Sequence, residues 1–327
     1  MIISRTPFRI SFFGGGTDYK EWFEENGGLV LATTIDKYCY ITCRCLPPFF
    51  KHKSRIIYSK MEQVKDIDEI QHPSVRETLR FMNIKKGVEI HHDGDLPART
   101  GLGSSSSFTV GLLHALYALK GVMPSKMQLA KDAIYIEQEM IKENVGCQDQ
   151  ALAAVGGFNK IEFGGSNHLN VRAITISKDR LELLQDHLML FYSGLSRTAS
   201  EIAGEQIKNI PRKKKELKTM YQMVDEAINI LNGNGNLTAF GKLLDESWKL
   251  KRGLSDKIST SYIDSIYDAA LSSGAIGGKL LGAGGGGFVL FFVDPKNQPK
   301  VKAKLKSLLY VPFRFENLGS QIIFYQS

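Results

Sequence analysis

The sequence has no uninterrupted apolar run of the length that crosses a bilayer, and Met1-Ile2-Ile3-Ser4-Arg5-Thr6-Pro7 lacks the basic and apolar segments of a secretion signal. The expectation is a cytoplasmic protein with no membrane partner. Cysteine is scarce. Cys39, Cys43 and Cys45 alternate along a strand-like stretch with Ile41, and with Cys147 they lack the paired spacing of a zinc site, so they are expected to be small core residues in a reducing compartment. No G-x-x-x-x-G-K-[ST] occurs, which excludes an ordinary P-loop nucleotidase. There is no low-complexity linker and no internal repeat. The densest basic run, Arg212-Lys213-Lys214-Lys215, has no interleaved aromatics and is expected to be a solvated surface rather than a nucleic-acid site.

What the chain has instead is glycine, 31 residues in 327, concentrated in three segments. Gly14-Gly15-Gly16-Thr17-Asp18 follows an apolar strand. Gly101-Leu102-Gly103-Ser104-Ser105-Ser106-Ser107 precedes an amphipathic helix, where free N–H groups and the helix dipole suit a phosphate. Gly282-Ala283-Gly284-Gly285-Gly286-Gly287 satisfies G-x-G-x-x-G, but the strand Phe288–Val293 follows at once, so a dinucleotide-binding unit is excluded and a strand-to-strand turn is expected. The net charge of +8 suits a protein that handles anions.

Strands are expected at Arg9–Phe13, Gly28–Ile35, Tyr38–Leu46, Arg55–Ser59, Gly87–His92, Asp186–Tyr192, Ala275–Leu281, Phe288–Val293, Val311–Glu316 and Ser320–Tyr325. Helices are expected at Phe108–Leu119, at Ser125–Glu143 with Ser125 as cap, across Thr198–Ser273 and at Pro299–Leu309. The length predicts two domains, 1–180 and 181–327, sharing a cleft.

Pro7-Phe8-Arg9-Ile10-Ser11-Phe12-Phe13-Gly14-Gly15-Gly16-Thr17-Asp18, Leu96-Pro97-Ala98-Arg99-Thr100-Gly101-Leu102-Gly103-Ser104-Ser105 and Lys279-Leu280-Leu281-Gly282-Ala283-Gly284-Gly285-Gly286-Gly287-Phe288 resemble, in family order, the three motifs of the GHMP small-molecule kinases. The resemblance implies an α+β protein, with an N-terminal ribosomal-protein-S5-like domain and a C-terminal ferredoxin-like domain. It also implies ATP and Mg2+ as donor and cofactor, and a sugar acceptor in the cleft. Arg-Ile-Ser-Phe before Gly-Gly-Gly-Thr-Asp is most similar to the kinases of sugar anomeric hydroxyls. The implied acceptor is O1 of a heptose 7-phosphate, giving a 1,7-bisphosphate for nucleotide-activated heptose. A free sugar such as fucose, or ATP and sugar sensing without turnover, are the alternatives.

Carried onto this sequence, the resemblance assigns Gly101, Gly103, Ser104, Ser105 and Ser106 to the nucleotide phosphates, and Ser105 and Glu137 to magnesium. Asp149 becomes the base or orienting group for the acceptor hydroxyl, with Arg9 beside it to stabilise charge. Gly14, Gly15, Gly16, Thr17 and Asp18 fall on the sugar side. Arg197, between an apolar strand and a helix, is a candidate for the sugar phosphate, ahead of Arg99 and Lys37. Each has a structural alternative: a helix cap for Asp149, surface charge for Glu137, turn stabilisation for Asp18. The oligomeric state is not legible.

Overall fold

The computed structural model describes residues 1–165, 169–196 and 199–326. From Thr6 to Phe13 every residue of the first strand, β1 (Ile2–Phe13), is buried, the pattern of a strand covered on both faces. After helix α1 (Lys20–Asn26), β2 (Gly28–Cys45) runs back antiparallel to it. The two strands expected at Gly28–Ile35 and Tyr38–Leu46 are therefore one 18-residue strand. Its register with β1 shifts between Pro7 and Phe8. Proline donates nothing to a ladder, and an irregularity is where a sheet tolerates it.

The chain continues through β3 (Ser54–Ile57), β4 (Met61–Val64), α2 (Pro73–Phe81), β5 (Val88–Gly94), α3 (Ser104–Leu119), α4 (Lys126–Tyr135), α5 (Gln148–Val155), β6 (Phe158–Phe163) and β7 (Leu169–Ala173). The helix expected from Ser125 to Glu143 is capped by Ser125 as foreseen, but passes into a π-helical turn at Ile136–Met140. Then come α6 (Lys178–Asp186), β8 (Leu188–Tyr192), α7 (Ala199–Asn209), α8 (Lys214–Asn232), α9 (Thr238–Arg252), α10 (Ser261–Ser272), β9 (Ala275–Leu280), β10 (Phe288–Val293), α11 (Gln298–Lys304), β11 (Leu309–Tyr310), β12 (Phe315–Glu316) and β13 (Gln321–Tyr325).

The first sheet has the order β13-β1-β2-β5-β3-β4, with β6 and β12 also on β2 and β7 on β6; the second has the order β11-β8-β10-β9. Strands from both ends of the chain thus share one sheet. The last strands of the segment expected as a second domain, β12 and β13, return to β2 and β1 of the first sheet. The edge of β1 would otherwise present unpaired backbone groups, and β13 covers it. Ser320 fixes the return: its Oγ accepts from Thr6 Oγ1 and contacts His114 Nδ1, both at 2.9 Å.

Phenylalanines join the two sheets. Phe240 of α9 packs edge-on against Phe12 and Phe13 of β1, with centroids 5.6 and 5.2 Å away, and tilts against Phe292 of β10 at 6.1 Å. All four are fully buried, so one core runs between the units. Cys39, Cys43 and Cys147 are buried and unpaired, while Cys45 is exposed where β2 leaves the sheet. Arg212, Lys214 and Lys215 are exposed, the solvated run expected. Among the described residues no helix is long and apolar enough to cross a membrane.

Candidate active site

Helix α3 begins at Ser104, four residues earlier than its apolar periodicity predicts, so the serines form its first turn. Gly103 precedes them in the left-handed region (φ 75°) and no side chain caps the helix. The first-turn N–H groups are left available to an anion. A Cβ on Gly103 would stand 3.1 Å from Arg9 Cγ and 3.4 Å from Asp149 Oδ2, so this glycine also makes room for the ion pair beside it.

That pair is bidentate. Arg9 Nε and Nη2 donate to Asp149 Oδ1 and Oδ2 at 2.7 and 2.8 Å, and Nη1 donates to the Gly101 carbonyl at 2.6 Å. Two parallel N–H···O bonds fix the carboxylate's plane as well as its position. Asp149 lies in the first turn of α5, so the pair joins β1, α5 and the loop before α3.

On one side of the pair lies Asp18. Its Oδ1 accepts from Gly16 N–H at 2.9 Å and its Oδ2 from Gln148 Nε2 at 2.8 Å. Burial raises its pKa, Gly16's N–H opposes that, and Asp149's charge adds to it. On the other side Glu137, in the π turn, is fully buried. Its Oε2 accepts from Ser106 Oγ at 2.8 Å and from Gln150 Nε2, while its Oε1 has no partner. Burial pushes its pKa up to about 7, against the pull of the nearby Thr109 hydroxyl and of the hydrogen bonds from Ser106 and Gln150. π turns recur at functional sites, and this one carries the carboxylate inward.

The structure corrects several assignments. Ser105 is exposed and Ser106 is the serine that meets Glu137. At 100° per residue, a helix starting at Ser104 turns Ser106 inward and Ser105 out. Thr17 is not free for a sugar: its hydroxyl donates to Gly14 O at 2.8 Å and accepts from Leu29 N–H at 3.0 Å. Gly14 leaves room for the Leu29 carbonyl rather than a ligand. Lys37 pairs with Asp36 at 3.3 Å and Arg99 is exposed, its N–H bonded to Ser104 Oγ. Arg197 lies outside the described residues.

The third glycine segment is a strand-to-strand turn, as expected, and it lies against the second. A Cβ on Gly101 would stand 2.4 Å from the Leu281 carbonyl, and one on Gly282 would stand 2.4 Å from Gly101 Cα. Phe288 N–H bonds the Thr100 carbonyl at 3.0 Å. The turn therefore supports the serine loop from behind.

Two lysines that sequence reasoning did not single out complete the surroundings. Lys251 of α9 donates to the carbonyls of Gly282 and Leu280; Lys279 of β9 donates to the Phe12 carbonyl at 2.7 Å. Both are buried. Burial and then Arg9's charge lower Lys251's pKa to about 8, while burial, Lys251 and Arg9 hold Lys279 well below the usual range. An open hollow of about 420 Å³ between β7 and α8, lined by Lys160, Arg172 and Asp225 among others, is separate from this constellation.

An uncapped helix N-terminus beside a bidentate Arg–Asp pair and a buried carboxylate suits phosphoryl transfer to a hydroxyl. Comparison with known proteins agrees. The GHMP kinases N terminal domain matches residues 72–157, and the GHMP kinases C terminal domain matches residues 223–311. A mevalonate kinase of Methanocaldococcus jannaschii is 30% identical over 72% of this chain and 70% of its own. The chain belongs to the GHMP kinase family. This GHMP kinase is also 29% identical to the D-glycero-alpha-D-manno-heptose 7-phosphate kinase of Campylobacter jejuni, over 97% of both chains. It shares its fold, at TM-score 0.81, 22% identity and full coverage of both chains, with a D-glycero-D-manno-heptose 1-phosphate kinase from Bacteroides thetaiotaomicron. The chain is thus an α+β small-molecule kinase of this family.

Proposed function

We propose that this kinase transfers the γ-phosphoryl group of ATP to the anomeric O1 hydroxyl of D-glycero-D-manno-heptose 7-phosphate, giving the 1,7-bisphosphate. The observation that carries the reaction class is the bidentate Arg9–Asp149 pair set beside the uncapped start of α3. Similarity along nearly the whole chain to the Campylobacter jejuni enzyme supports the acceptor.

In this reading the first-turn N–H groups of α3, with Ser104, take the β- and γ-phosphates. Asp149 orients the acceptor hydroxyl and receives its proton as the new O–P bond forms and the bond to the leaving ADP breaks. Arg9 holds that carboxylate in place and faces the charge that develops on the phosphoryl oxygens. Asp18 and Gly15 to Gly16 form the sugar side.

A magnesium ion fits the opposite side, because Glu137 Oε1 is buried without a partner and Ser106 Oγ is adjacent. A hard cation with oxygen ligands would neutralise phosphate charge there. Glu137 and Ser106 would hold it, in place of the Glu137 and Ser105 expected from sequence. Lys251 and Lys279 hold the third glycine turn and β1 in register behind the site.

The test is ADP release from magnesium-ATP with heptose 7-phosphate, other sugar phosphates, free heptose and free fucose. The expected outcome is turnover highest with heptose 7-phosphate. Turnover confined to free sugars would remove the phosphorylated acceptor from the account.

A further inference from the structure

One end of the first sheet is strongly basic and takes no part in the site described above. From Arg44 to Met61, and again from Phe81 to Val88, the chain holds no Asp or Glu. The two segments lie side by side: Leu46 N–H bonds the Gly87 carbonyl at 2.9 Å, and a Cβ on Gly87 would stand 2.1 Å from the Lys53 carbonyl. Lys51, Lys53, Lys85 and Lys86 are all exposed there. The carboxylates that flank this end are taken by other groups, Glu89 by Arg44 and Arg55, Asp68 by Arg80, and Asp66 and Glu69 by backbone N–H groups of their own turn. Among the described residues the four lysines therefore make no ion pair.

The loop between β2 and β3 adds an apolar tip to this charge. Pro47 and Pro48 stiffen its entry, and Phe49 follows them 90% exposed. Phe50 is anchored instead: its ring stacks on His52 with centroids 5.4 Å apart, and Arg55 Cζ lies 5.8 Å from its centre. Among the described residues no ring or cation covers Phe49. A single exposed apolar side chain is ordinary; one carried on a stiffened loop tip next to unpaired lysines has a matching partner.

The residue types select that partner. Arg44 and Arg55, whose planar guanidinium groups could read a phosphate or a base in two places at once, are held on Glu89. What remains is lysine, a point charge drawn to many anions without reading any one of them. A nucleic-acid strand is gripped by successive stacked aromatics, and here the ring of Phe50 is already covered. A bilayer with anionic headgroups takes both features, the lysines at its phosphates and Phe49 at the acyl boundary.

We infer that this end of the sheet, Phe49 with Lys51, Lys53, Lys85 and Lys86, is a docking surface for an anionic lipid bilayer. The lack of a long apolar run excludes a spanning helix, and docking at headgroups needs none. The surface is remote from the transfer site. β5 runs from Val88 at this end to Gly94, toward the loop of Gly101, and its length is about 20 Å. A docked molecule thus keeps its active site open to solutes.

The experiment is co-sedimentation of the full chain with vesicles of phosphatidylcholine alone, or with one third phosphatidylglycerol, at low and high salt. The wild type is expected to bind the anionic vesicles at least about tenfold more tightly than the neutral ones, and less tightly as salt rises. Lys85→Glu with Lys86→Glu is expected to weaken that binding at least about tenfold, and Phe49→Ser at least about fivefold, with thermal unfolding and ADP release near wild type. Phe49→Trp supplies a direct reporter, because the native Trp22 and Trp248 are buried. Its emission is expected to shift to the blue on addition of anionic vesicles. No binding, equal affinity for both kinds of vesicle, or Phe49→Ser indistinguishable from wild type overturns the inference. A single-stranded oligonucleotide bound more tightly than the anionic vesicles, through the same lysines, assigns the surface to nucleic acid and overturns it as well.

Discussion

Glu137 is ionisable, fully buried and half-satisfied, and that combination ties stability to pH. Its folded pKa of about 7 stands above the ordinary 4.5, so the folded chain binds the extra proton between those values. The contribution is complete below about 4.5 and lost as pH rises through about 7. The melting temperature of the metal-free protein is therefore expected to fall from pH 5 to pH 8 by more in the wild type than in Glu137→Gln. Parallel curves would contradict the burial argument. The neighbouring serines give a second residue-scale test. Ser106→Ala is expected to raise the magnesium concentration needed for half-maximal rate by about tenfold, while Ser105→Ala, at an exposed position, stays near wild type. A steady-state magnesium titration of both variants checks this.

At the scale of elements, the start of α3 concentrates the argument. Gly103 supplies the left-handed turn and the space for the Arg9–Asp149 pair, so Gly103→Ala introduces strain and displaces that pair. The expected result is at least about a tenfold loss in kcat with a raised KM for ATP, measured by coupled ADP release. Much of this element was legible in the sequence, because a glycine–serine segment before an apolar periodicity has a physical meaning of its own. Which serine faces inward was not, since it depends on where the first turn begins. Periodicity in the apolar residues marked Phe108 rather than Ser104. The π turn at Ile136–Met140 was hidden for a similar reason: one extra residue in a helical turn leaves no mark in composition.

For the whole molecule, the resemblance of the three motifs to the GHMP kinases foretold an α+β chain. It did not foretell that the last two strands return to the first sheet, because pairing partners are settled by which edge is open. Lys251 and Lys279 escaped notice for the same reason, since their burial depends on the two sheets meeting around Phe12 and Phe240. If that shared core holds the units together, Phe240→Ala should destabilise the protein by about 3–5 kcal/mol. Chemical denaturation would read this as a single weakened transition. Loss confined to one of two separate transitions would mean that the units fold independently.

The central claim is that the Arg9–Asp149 pair beside the α3 N-terminus is where phosphate is transferred. Asp149→Asn keeps the size of the side chain but removes its charge and basicity. The direct measurement is the single-turnover rate of phosphoryl transfer in this variant, alongside its affinity for a fluorescent ATP analogue. The account predicts a rate about 10²–10⁴-fold below wild type with nucleotide affinity nearly unchanged. A rate within tenfold of wild type would contradict it.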